Sequence, residues 1–133
     1  MRREDLEQKR SSARRHRDAA SRELRVLRTK TIPALHAIAA ALVEEYRMES
    51  RKRRDWVRDA TSLDSFLAWQ AGSALQMGQD LARVGVGDVV KLAHAELRML
   101  VANDTVCALN REITRLNSRR AAGWKDSAGS ASD

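Results

Sequence analysis

Two interleaved rows of apolar residues constrain this chain more than any other feature. Leu92, Met99, Val106 and Ile113 stand seven apart, and Ala95, Ala102, Leu109 and Leu116 repeat that spacing three residues later. Seven residues make about two helical turns, so both rows fall on one side of a helix and form a stripe that needs covering. A weaker row of the same period lies at the other end: Leu6, Ala13, Ala20 and Leu27, with Leu24, Thr31 and Ile38 beside it. Only 4% of the residues are aromatic, proline occurs once, and much of the 43% apolar fraction is alanine. This composition predicts an all-α chain of long helices packed through narrow seams.

Local signals divide the helical pattern. Pro33 marks a break: either Thr31 caps a new helix with Pro33 in its first turn, or one helix continues with a kink. Leu35, Ile38, Leu42 and Tyr46 then form one helical face. In "ATSLDSF", Thr61 and Asp64 have capping-box spacing and Ser62 is an alternative cap, which predicts a chain reversal. Gly72 and Gly78 weaken the next helix by roughly 1 kcal/mol each and would let a neighbour approach closely. In "VGVGDVV", Gly85 and Gly87 can end a helix and Asp88 can cap the next.

The expected architecture is a long antiparallel helical hairpin or coiled coil within one domain, residues 1–122. Arm one spans 3–59 and arm two 62–121, and 123–133, rich in Gly and Ser, forms a disordered tail. A straight arm of about 57 residues would extend on the order of 85 Å. Trp56, Phe66 and Trp69 would cluster at the turn, with Trp56 facing inward. If 31 and 85–87 are full turns, the alternative is a four-helix bundle. The thin, Ala-rich seam of residues 3–30 favours the hairpin, since a four-helix core wants larger residues there.

The net charge of +7 makes acidic partners plausible: nucleic acid, anionic lipid or an acidic protein. Residues 1–30 carry eleven Lys/Arg against five Asp/Glu, and Arg51, Lys52, Arg53 and Arg54 are contiguous. Glu44, Glu45, Glu49, Asp55 and Asp59 flank that run, which fits the solvated face of a helix better than a dedicated nucleic-acid module. His16, His36 and His94 lie apart without a second ligand at metal spacing, so neither metal nor cofactor is expected. Cys107 stands alone beside Val106, in the manner of a small buried hydrophobe. "GVGD" lacks the later glycine of a phosphate loop, and no catalytic pair of carboxylates emerges, so the chain reads as non-enzymatic. The start, "MRREDLEQKR", has no apolar stretch, and no run of about 18 apolar residues occurs. A cytoplasmic location is expected, and the solitary cysteine fits a reducing compartment. Trp124, in a polar setting, is a candidate docking residue.

The length, the charge, the rod with both ends at one tip, and the stretch "SLDSFLAWQAGSALQMGQDLARV" resemble the FliJ/YscO-like stalk proteins of type III export machines. The resemblance implies a coiled-coil stalk that inserts into a hexameric export ATPase peripheral to a membrane-embedded machine. It implies partner-binding cations near the paired ends: Arg14, Arg15, Arg17, Arg119 and Arg120. The rival readings are a basic helical protein that binds nucleic acid and a helical bundle that assembles as a homodimer.

Overall fold

The computed structural model describes residues 2–85 and 87–130, the side chains of 121–130 excepted. Five helices make up the described chain, with no strand among the described residues: α1 (Arg3–Lys30), α2 (Pro33–Leu42), α3 (Glu44–Arg54), α4 (Ala60–Val84) and α5 (Asp88–Ser130). The fold is all-α, as the apolar periodicity predicts. The backbone of α5 includes 123–130, which composition assigns to a tail, and 131–133 lie outside the described residues.

Each helix end has a local cause. Thr31 and Ile32 are extended, and Pro33 opens α2 at a position where its missing N–H has no helical partner to lose. Thr31 does not cap α2; its hydroxyl donates to the Leu27 carbonyl at 3.1 Å and lies 2.8 Å from His36 Nε2, tying the end of α1 to the first turn of α2. At Val43 the ladder tightens to a bond with the Ala40 carbonyl, and the helix resumes when Arg47 N–H reaches the Val43 carbonyl. α2 and α3 are therefore one bent arm. α4 starts with a reciprocal cap two residues before the expected one. Asp59 accepts from Ser62 N–H at 2.8 Å, and Ser62 Oγ accepts from Asp59 N–H at 3.0 Å. Those bonds to Ser62 hold the Asp59 carboxyl below its ordinary pKa. Gly85 ends α4 at φ +111°, a conformation that excludes most side chains. Asp88 then sits in the first turn of α5, whose Lys91 N–H bonds to the Gly87 carbonyl.

Cross-helix bonds set the directions. Arg10 bonds Asn110 at 2.9 Å and Arg98 pairs with Glu23 at 2.6 Å, so α1 runs antiparallel to α5. Arg54 pairs with Asp104 and Arg111 bonds the Val57 carbonyl, so α3 runs parallel to α5. Gln70 on α4 bonds Val101 and Thr105 midway along α5, while Leu81 packs near Leu92 and Leu63 near Leu109, again antiparallel. The chain therefore reverses at 31–32, 55–59 and 85–87, and four arms run up, down, up and down.

This corrects the expected single reversal. Leu6, Val57, Leu63, Phe66, Leu109 and Ile113 share one core cluster, whereas an unbroken first arm would hold Leu6 and Val57 on the order of 75 Å apart. Leu24, Ala39, Val43, Leu81 and Leu92 form the cluster at the other end. The small residues of α1 do not make a rod. They let α1 lie close to α5, which supplies the bulk: Leu92, Leu97, Leu109 and Ile113 are all buried. From Leu92 to Asn110, Arg98 is the one exposed side chain of α5. A helix buried or half-buried on nearly every side has to be covered from several directions.

The compact arrangement is checked by small-angle scattering. A radius of gyration of about 14 Å is expected for the monomer, against about 25 Å for an 85 Å rod.

Candidate functional site

The three arms around α5 do not close. α1 packs on α5, and α4 packs on α5 and α3, but α1 and α4 do not pack along their lengths. Between them runs an open groove of about 770 Å³. Its floor is α5, with Leu97, Val101, Ala102, Thr105 and Leu109. One wall is α1, with Lys9, Ser12, Ala13 and His16, and the other is α4, with Leu67, Gln70, Ala74 and Gly78. Leu6, Ala13, Ala20 and Leu24 are the buried residues of α1, so its apolar side is spent on α5.

The groove floor makes no polar demand. Gln70, only 4% exposed, donates to the Val101 carbonyl at 3.1 Å and accepts from Thr105 Oγ1 at 2.7 Å. These bonds pin α4 to α5 and leave an apolar surface above them. The ionisable lining residues are Lys9, His16, His94 and Arg98, with no carboxylate among them. A Cβ on Gly78 would meet nothing within 4 Å, and the same holds for Gly72. No helix approaches closely at either glycine, and Gly78 faces the open groove.

A second feature is buried charge. Asp104, 3% exposed, pairs with Arg54 at 2.6 Å, and Arg54 lies 3.8 Å from Cys107 Sγ. Burial disfavours the Arg54 cation, but the hydrogen bond and charge of Asp104, with help from Asp55, hold its pKa above the ordinary value. Cys107 is half-buried beside this pair rather than fully enclosed. Burial also pushes the Tyr46 phenol up, opposed in part by Ser50 and Gln70 and reinforced by the Asp104 charge. Neither Tyr46 Oη nor Ser50 Oγ makes a hydrogen bond of good geometry. Arg111 donates to the carbonyls of Val57 (3.1 Å) and Asp55 (2.8 Å), satisfying the frayed end of α3. Arg54 and Arg111 thus bolt α3 and its loop to α5. Sequence reading missed both: nothing in the run 51–54 marks Arg54 as the cation that turns inward, and nothing local to Arg111 marks the carbonyls it meets.

The basic run divides its labour. Arg51 and Lys52 are exposed, Arg53 lies 4.6 Å over the Trp69 ring and pairs with Glu49, and Arg54 is inward. Trp69 stacks on Tyr46 with centroids 5.9 Å apart and sits 6.2 Å from Phe66. Trp56 is not in this cluster. It is 61% exposed under Arg58, and Val57, 3% exposed, takes the inward position.

The expected partner cations are not gathered at one tip. Arg14 and Arg15 are exposed on the outer side of α1, and Arg17 pairs with Asp18 at 3.4 Å. Arg119 and Arg120 are exposed on α5, level with the start of α1 given the Arg10–Asn110 pairing. That leaves them roughly 20 Å along the axis from Arg14. The side chain of Trp124 lies outside the described residues. Among the described residues no three His, Cys, Asp or Glu side chains gather to hold a metal, and no helix is long and apolar enough to cross a membrane. In comparisons with known proteins, no family model, curated protein or solved structure matches the chain.

Removing one partner of the Arg54–Asp104 pair leaves the other charge uncompensated. Asp104→Ala is expected to cost about 3 kcal/mol in urea unfolding, and the double variant Arg54→Met/Asp104→Leu less than the sum of its parts.

Proposed function

We propose that this chain is a non-enzymatic helical adaptor that binds a protein partner within a larger assembly. One observation carries the reading: the groove between α1 and α4 is open, its lining is mostly apolar, and the polar side chains Gln70 and Thr105 in its floor are hydrogen-bonded. A groove between helices is the geometry into which another amphipathic helix packs, and burial of its apolar side supplies the affinity. The export ATPase of type III machines is one assembly of this kind. Support for it lies in the antiparallel α1–α5 pair and in the cationic outer side of α1, which would suit an acidic ring lumen.

Gly78→Arg tests the adaptor reading. The added side chain has open space, so the fold tolerates it, and stability should rise by about 1 kcal/mol from the gain in helix propensity. With a photo-reactive residue at Ser12, the wild-type chain should cross-link a distinct partner in cells of its source, and Gly78→Arg should reduce that product at least tenfold. Equal cross-linking by the variant would end the reading.

A second reading, binding of nucleic acid, is favoured by Arg14, Arg15, Arg22 and Arg25. They are exposed along α1 and have no ion pair among the described residues. Under the adaptor reading, a duplex of about 20 base pairs binds weakly and is released between about 50 and 200 mM salt. Submicromolar binding at physiological salt, lost when these four become Gln, would carry the second reading instead.

A further inference from the structure

We propose that the occupant of the groove is an acidic amphipathic helix of the partner protein, about four turns long, with its apolar side down and carboxylates along its flanks. This rests on the reading of the groove as a docking face and assigns the chemistry of what enters it.

The dimensions come first. The floor runs from His94 to Leu109, sixteen residues or on the order of 22 Å of helix. Val101 in the floor and Leu67 and Ala74 on the α4 wall are half-buried and offer apolar seats, with Leu97 and Leu109 packed beneath. Gln70 and Thr105 satisfy one another, so the floor rewards apolar anchors rather than polar ones. The α4 wall is low, because Gly78 leaves open space where a side chain would stand.

Charge then selects among possible helices. Every ionisable residue lining the groove is a cation or a histidine. Arg98 is shared with Glu23 across α1 and α5, whereas Lys9 has no ion pair among the described residues. Arg15 lines the adjoining hollow beside Lys9, with Asp5 as the one acid there. Carboxylates on an incoming helix would meet these cations, and cations there would be repelled. A second copy of this chain carries a net charge of +7 and is disfavoured for that reason.

The test uses two fluorescein-labelled helical peptides of 18 residues, identical in their leucine face and flanked by Glu in one and by Lys in the other. Fluorescence anisotropy against the full chain should show the Glu peptide binding at least tenfold more tightly. Gly78→Arg should abolish binding, and Lys9→Glu/Arg15→Glu should erase or invert the preference with an unchanged thermal melt. Equal affinity, or a preference for the Lys peptide, overturns the assignment. If neither peptide binds while Gly78→Arg still suppresses cross-linking in cells, this inference fails and the docking face stands. Light scattering that shows a dimer dispersed by Gly78→Arg would make a second copy the occupant and overturn the proposal.

Discussion

The burial of α5 governs the rest of this molecule. Between Leu92 and Asn110 its side chains are inward or half-covered on almost every side, and Ala93, Ala95 and Ala108 have no exposed surface at all. One partner helix shields only about a third of a cylinder. A helix buried over more than that needs several partners, and the earlier part of the chain has to fold back repeatedly to supply them. Burying a leucine is worth roughly 1.5–3 kcal/mol, whereas an exposed ion pair is worth about 0–1 kcal/mol. The many pairs on the outside of α1 and α3 therefore decorate an arrangement that Leu92, Leu97, Leu109 and Ile113 decide.

The open groove follows from the same constraint. α1 reaches α5 through Leu6, Ala13, Ala20 and Leu24, a seam narrow enough to bring the two helices close, and beyond the cluster at Leu6 it does not pack along α4. α4 is held from the other side by Leu63, Phe66, Leu81 and the Gln70 bonds. Three arms around one rod leave a sector uncovered, and here that sector is apolar at the bottom and cationic at the edge. Pre-formed concavity of this kind costs little ordering when something enters it.

The run from Arg51 to Arg54 shows how little adjacency in sequence says about adjacency of function. Successive residues on a helix point about 100° apart, so four neighbouring cations cannot share a surface. Arg53 lies over Trp69, Arg54 turns in to Asp104, and Arg51 and Lys52 meet solvent. Likewise Trp56 is the larger apolar residue, but the loop presents Val57 to the core. Those choices depend on where Asp104 and Leu109 stand, and both lie about fifty residues further on.

What the sequence by itself determined is local: that the chain is helical, that helices stop near Thr31, Asp59 and Gly85, and that residues 92–116 carry the principal apolar stripe. Helix propensity, caps, the ring of Pro33 and the freedom of Gly85 act within about one turn, and each can be read where it stands. Tertiary structure alone decided whether each stop is a kink or a reversal, which cation is buried, and where the arms around α5 leave a groove. Those outcomes depend on pairings such as Leu6 with Val57 and Arg54 with Asp104. The energies of such contacts exist only once segments fifty or a hundred residues apart have met, and no local signal encodes them.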